Sequence, residues 1–250
     1  MLSRLPSFVF GLGSFALWEG LVRLFAVPAY ILPGPVAIGA AFLDDAPGLL
    51  AALAATLAVT ASALIAAVAV GLLLALLVSA SSWLRAALEP WAVALQVTPI
   101  VAIAPLIIIW VGNPFLALVT CATIVAFFPV FSSTLSGLSA ALGEHLDLFR
   151  LYGARSWQVL LWLRLPVAVP YFLAGLRISG GLSLVGAVVA EFVAGSGGFA
   201  SGLAYRLLEA GYRLQIPRMF ACLVLLGVAG LAINASFAAL ERTLARRFRG

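Results

Sequence analysis

The chain has 250 residues, of which 64% are apolar and 9% charged, and its mean hydropathy is strongly positive. Soluble domains carry about 25% charged residues, so the composition excludes a water-soluble globule and describes an all-α integral membrane protein. All 14 basic residues are arginine. A P-loop needs a lysine to reach nucleotide phosphates, so any ATP hydrolysis linked to this chain must come from another polypeptide.

The net charge of +5 follows from arginines beside apolar segments and does not describe a nucleic-acid surface. Cys121 and Cys222 each lie in an apolar run and read as small buried hydrophobes. His145 is the single histidine, which excludes a His/Cys metal cluster. With no paired carboxylates on one span either, a membrane-embedded enzyme is disfavoured. A passive channel is the other alternative.

A membrane helix needs about 20 mainly apolar residues. The first candidate is Ser7–Val27, interrupted by Glu19 and Arg23, which are four apart and can pair on one helix face. A signal peptide is the competing reading. The run is long, carries two charges and lacks a small-x-small cleavage site, so a retained span is expected. Residues 28–48 hold four prolines and two aspartates and read as a turn-rich loop with one short amphipathic helix over Val36–Leu43.

The second span, Leu49–Val78, exceeds the bilayer thickness and must tilt or project. Its small residues Thr56, Thr60, Ala63, Ala67 and Gly71 form one face suited to close helix packing. Ser79–Arg85 reads as a short polar turn. The third span, Pro90–Val111, contains Gln96, Thr98, Pro99 and Pro105. Prolines there free backbone carbonyls, and a helix so bent is a candidate for lining a pathway.

Gly112-Asn113-Pro114 is a tight turn. The fourth span, Phe115–Leu135, ends in the hydroxyl-rich Ser132–Ser136. A polar stretch follows over Ser136–Leu165. The fifth span, Val167–Ala190, carries Arg177 and is followed by Glu191. Gly175, Ser179, Ser183 and Ala187 repeat every four residues as a second small-residue seam. Charge within a span is a functional candidate by default. Arg177 is close enough to the end of its span to snorkel. Gln96, Thr98, Pro99, Pro105, Arg177, Ser183 and Glu191 are the pathway candidates.

Residues 195–215 form a loop with a short helix. The sixth span is Ile216–Leu240, which contains Asn234, and Glu241–Gly250 is a basic tail. With both termini inside, nine arginines (4, 85, 150, 155, 164, 242, 246, 247 and 249) face the cytoplasm. Four (23, 206, 213 and 218) lie opposite. The positive-inside rule favours this arrangement and makes the polar stretch cytoplasmic.

That stretch resembles the cytoplasmic motif of permease subunits of binding-protein-dependent ABC importers. In that motif Glu-Ala-Ala is followed by three residues, Gly, nine residues and Ile-x-Leu-Pro. Asp147 stands for the Glu, Gly153 follows at six residues, Leu163 takes the Ile place, and Leu165-Pro166 close the motif. Leu148 and Phe149 depart from the paired alanines.

Further resemblance lies in Ile31–Pro35, Ala104–Gly112 and Val185–Phe192. These are similar to the nitrate/sulfonate/taurine-type branch, which includes importers of pyrimidine precursors and riboflavin-like heterocycles. Gln96–Pro99 and Ile103–Pro105 lean towards the heterocycle subset.

The resemblance implies a single transmembrane permease domain over residues 1–250, multi-pass in a bacterial inner membrane. It implies an ATPase-coupling segment at residues 137–166, with Asp147, Leu148, Phe149, Arg150, Gly153, Ala154, Arg155, Ser156, Leu165 and Pro166 as contact candidates. It also implies a second permease subunit (a homodimer), a cytoplasmic ATPase dimer that holds ATP and Mg, and an extracytoplasmic solute-binding protein. On this resemblance the chain is expected to bind no cofactor itself and not to be an enzyme.

Physically, Asp147 suits the N-terminus of a helix over residues 147–152. Gly153 can end that helix in the left-handed conformation, and Ser156 can cap a second one, Trp157–Arg164. Pro166 can start the fifth span. Such an elbow, fused to a membrane helix, can convert a push into a tilt.

Overall fold

The computed structural model describes residues 5–141, 143–195 and 201–248. Arg4 and Arg249, Leu142 of the polar stretch, and part of the loop expected at 195–215 lie outside the described residues. The described residues form helices joined by short turns. The chain divides into two compact units, Met1–Ala55 with Gly195–Val228 and Thr56–Ala194 with Ala229–Gly250.

In the first unit, α1 (Leu5–Leu24) is followed by the proline-rich loop and α2 (Pro35–Asp44). The short helix expected at Val36–Leu43 is therefore present, and Pro35 opens it, where a missing N–H costs nothing. Glu19 pairs with Arg23 at 2.6 Å and accepts the Val36 N–H at 3.2 Å, so its carboxylate sits at the N-terminus of α2, where negative charge is favoured. Helix α10 (Leu203–Tyr212) and the first turns of α3 and α11 complete the unit. Its core gathers Ile38, Leu49, Ala52, Leu203, Ala221 and Cys222.

The second unit holds most of α3 (Ala46–Ala80). Thr56, Thr60, Ala63, Ala67 and Gly71 are all buried, so the expected small face is the packed face. A side chain at Gly71 would press on Val130 and the backbone of Phe131.

Where one third span was expected, there are two helices, α4 (Ser82–Val97) and α5 (Ile100–Val111), bent by 102°. The reason is Pro99. It disfavours helical backbone at the residue before it, and Thr98 is accordingly extended (φ −74°, ψ 122°). Pro90 and Pro105, by contrast, sit inside helices.

Helix α6 (Pro114–Ser139) is capped by Asn113, whose Oδ1 accepts the Leu116 N–H at 3.0 Å. The hydroxyl-rich segment expected to end this span is helical instead. Within it the Thr134 hydroxyl turns back onto the Val130 carbonyl, as the Ser139 hydroxyl beyond it does onto that of Leu135, a bond made within the helix.

Helix α7 (Gly143–Leu151) precedes α8 (Ser156–Val159), a π-helical turn over Leu160–Arg164, and α9 (Leu165–Ala194). These last three run as one apolar stretch, Ser156–Ala194. Helix α11 (Ile216–Phe248) continues eight residues past the expected end of the sixth span, so the basic tail begins as helix rather than loop.

Among the described residues, Ala46–Ala80, Pro114–Ser139, Ser156–Ala194 and Ile216–Leu244 are long and apolar enough to cross a membrane. The bent α4–α5 pair makes a fifth if counted as one span. Helices α6 and α9 pack along the expected seam, where Gly175, Ser179, Ser183 and Ala187 are buried. A Cβ on Gly175 would stand 2.6 Å from the Pro129 carbonyl oxygen, and one on Gly186 2.8 Å from the Ala122 Cα. Small residues let the two backbones approach this closely. The Ser179 hydroxyl also crosses to the Ala126 carbonyl at 2.6 Å.

Candidate functional site

The segment α7–α8 is the clearest candidate. Helix α7 ends on Gly153, at φ 65°, a conformation that costs other L-residues steric energy. The Gly153 N–H reaches the Arg150 carbonyl and the Ala154 N–H the Phe149 carbonyl, both at 2.9 Å. This 5→2 and 6→1 pair is a Schellman ending. It satisfies the last carbonyls and turns the chain sharply into α8.

Two details differ from the sequence expectation. Asp147 is not at the helix start, because α7 begins four residues earlier and Glu144 is the acid of its first turn. Asp147 instead pairs with Arg150 at 3.1 Å, one turn on. Ser156 does not cap the second helix. The Gln158 side-chain oxygen accepts the Arg155 N–H at 2.7 Å, which makes Arg155 the cap residue and Ser156 the first helical one.

Pro166 likewise does not open a new helix but lies in the second position of α9. Proline in a continuous helix lacks one N–H and clashes with the carbonyl four residues back. The chain widens into the π turn just before it, with the Leu165 N–H bonded to the Leu160 carbonyl. π-helix occurs mostly as single-turn bulges of this kind inside α-helices. The outcome is an elbow joined without a break to a membrane-length helix.

No described residue of α7 or α8 is buried. Leu148 is half exposed, Leu151 and Tyr152 are each 84% exposed, and Trp157 and Trp162 also face outward. Phe149 and Ala154 are partly covered.

The pathway candidates divide into two groups. Gln96, Thr98, Pro99 and Pro105 are exposed around the α4–α5 bend. Ser183 is buried in the seam and donates to the Gly180 carbonyl at 2.9 Å. Glu191 is 4% exposed and accepts a hydrogen bond from Thr56 at 2.8 Å. Arg177 is exposed and belongs to neither group. Its Nε donates to Asn234 Oδ1 at 3.0 Å and its Nη1 reaches Glu241 at 3.5 Å, both on α11.

Sequence reasoning singled out Arg177 without these partners. The signal was there, since Asn234 and Glu241 are seven residues apart and so share a helix face. In the first unit, Glu209 binds Arg206 at 3.1 Å and Arg213 at 2.8 Å, and Arg218 bonds Asp45.

Residues 67–250 match the family described as binding-protein-dependent transport system inner membrane component. The chain belongs to that family. It is a multi-pass inner-membrane permease subunit of the ABC importer type, a transport component without catalysis of its own.

It is 34% identical over 210 residues to a probable ABC transporter permease protein of Haemophilus influenzae, covering 84% of each chain. It is 31% identical to the formylaminopyrimidine transport permease protein ThiX of Halalkalibacterium halodurans, over 91% of this chain and 90% of the relative. With the riboflavin transport system permease protein RibX of Chloroflexus aurantiacus it shares 32% identity, over 92% of this chain and 85% of the relative.

The fold is also that of the methionine ABC transporter MetNI in an inward-facing conformation. There the TM-score is 0.67 at 19% identity, over 78% of this chain and 95% of the other.

Proposed function

We propose that this permease forms a translocation pathway with a second copy of itself and takes its power stroke from a separate cytoplasmic ATPase through residues 143–166. The single observation that carries this reading is the elbow. A Schellman-ended helix bears outward-facing Leu148, Leu151 and Tyr152 and is continuous with α9. Large apolar side chains left in a polar, water-facing segment fit a groove on a soluble partner, and the unbroken helix carries a push at the elbow into the membrane. The importer family, in which a permease works with an ATPase and a binding protein, supports the same reading.

In this proposal α1, α3, the α4–α5 pair, α6, α9 and α11 are six spans with both termini cytoplasmic. The exposed bend at Gln96, Thr98, Pro99 and Pro105 faces the pathway. Ser183, Glu191 and Arg177 hold the subunit together around it. The loops at 28–48 and 195–215 meet the solute-binding protein. The substrate is a small heterocycle of the pyrimidine or riboflavin kind, which the ThiX and RibX relatives support, with sulfonate-type anions as the other possibility in the branch.

Gly153→Pro tests the reading. Proline cannot adopt φ 65° or donate the bond to Arg150, so the turn is lost while the spans are untouched. The expected result is a variant that inserts normally but whose ATPase partner no longer drives uptake. Normal uptake by a well-inserted Gly153→Pro permease refutes the elbow as the coupling element.

A further inference from the structure

A cleft of about 300 Å³ opens where the end of α3, the start of α4, the end of α6, the approach to α7 and the π turn come together. Ser79, Ser82, Arg85, Ser139, Leu146 and Arg164 are among its walls. Two guanidiniums thus share one cavity. None of the ion pairs among the described residues involves either of them. Glu89, one turn further along α4, borders an adjoining cavity with Arg85, and it too is absent from those ion pairs.

The neutral partners of the two arginines leave most donors free. Arg85 gives one N–H to the Ser139 hydroxyl at 2.7 Å, and Arg164 gives one to the Ser79 carbonyl at a long 3.4 Å. The Arg164 Nε is buried and has no acceptor among the described residues. A guanidinium carries five donors in a planar fork, and buried donors are ordinarily satisfied. Ser82 adds a hydroxyl at the first turn of a 16-residue helix, an end that favours negative charge.

We propose that this cleft binds a phosphate group, either the headgroup of an anionic phospholipid or a free phosphate. Phosphate oxygens match the bidentate fork that each of these two cleft-lining arginines carries. The surroundings favour the lipid. Trp83, Trp157 and Trp162 are exposed on the segments that carry the two arginines, and tryptophan gathers at the headgroup level of a bilayer. Because Arg164 lies in the π turn joining the elbow to α9, a headgroup here would brace that joint.

The test uses the purified permease, delipidated in neutral detergent. Phosphatidylglycerol, phosphatidylcholine and inorganic phosphate are added separately, and native mass spectrometry and thermal shift report binding. The variants are Arg85→Gln and Ser82→Asp. The second introduces a carboxylate that occupies the anion position at a helix start where it is favoured, so it does not threaten the fold.

The expected result is retention and thermal stabilisation by phosphatidylglycerol over phosphatidylcholine, weakened about tenfold or more in both variants. Equal protection by inorganic phosphate, lost in the same variants, assigns the site to free phosphate. The proposal is overturned if neither phosphate-bearing probe binds selectively, or if both variants bind as the wild type does. None of these readouts requires the ATPase, so they stand apart from the coupling experiment.

Discussion

Two stretches of one continuous run, the α6–α9 seam and the α7–α8 elbow, solve opposite packing problems. Along the seam, Gly175, Ser179, Ser183 and Ala187 are buried, and at Gly175 and Gly186 an added Cβ would meet the backbone of α6. At the elbow the apolar residues are large and outward-facing, and no described residue of α7 or α8 is buried. The seam is complete within this chain. The large apolar residues of the elbow are uncovered in this chain, and each Leu or aromatic side chain that a partner buried there would add about 1.5–3 kcal/mol. A stiff helix with a finished packing face at one end and an unfinished one at the other has the form of a lever.

The largest expected effect is at Gly175. Gly175→Leu would force a side chain against the Pro129 carbonyl oxygen, which would lie 2.6 Å from the new Cβ. Because the obstacle is backbone, the cost is expected to exceed about 3 kcal/mol, above the usual range for overpacking. Loss of folded, detergent-stable protein by size-exclusion fluorescence checks it, and a normally behaved variant would show that α6 and α9 can separate at this point without loss of the fold.

Next in size is the double change Leu151→Asp with Tyr152→Asp. Both residues are 84% exposed, so the permease itself should stay as stable as the wild type. Its association with the ATPase should weaken by about 3 kcal/mol or more, read by co-purification. A drop in permease stability instead would mean that the elbow packs on its own chain.

A third change returns to the seam side. Thr56→Val removes the donor to Glu191 at 2.8 Å and leaves a buried acceptor short of one hydrogen bond, at a cost of about 1–3 kcal/mol. A lowered melting temperature is the expected outcome, with Thr56→Ser restoring most of it.

How far these regions were legible in the sequence follows the same division. Small residues at spacings of three and four announced both packed faces, because close helix contact admits little else. Gly153 was legible as a turn, since left-handed backbone strongly favours glycine. The start of α7 was not. Asp147 resembled an N-terminal acid, but Glu144 lies one turn earlier and suits the same role, and local sequence does not choose between two acids so spaced.

The sharpness of the α4–α5 bend was missed for a related reason. Pro90, Pro99 and Pro105 look alike in the sequence, yet only at Pro99 does the chain leave the helix, while the other two are absorbed within helices. The π turn was also out of reach, since it answers Pro166 within a continuous helix that the sequence suggested would begin there.

The smallest expected effect concerns Arg177, which sequence alone placed among pathway residues and which the structure sets against α11. Its bonds to Asn234 at 3.0 Å and Glu241 at 3.5 Å join α9 to α11. The Arg177 and Glu241 side chains are 43% and 37% exposed, and ion pairs so open to solvent contribute about 1 kcal/mol or less. Arg177→Gln keeps a donor for Asn234 and removes the charge, so the melting temperature should fall only slightly and uptake kinetics should stay near wild type. A large loss of uptake at unchanged stability would move Arg177 back into the pathway. The contrast between finished and unfinished faces would then have to include a charged surface that this subunit completes only with substrate.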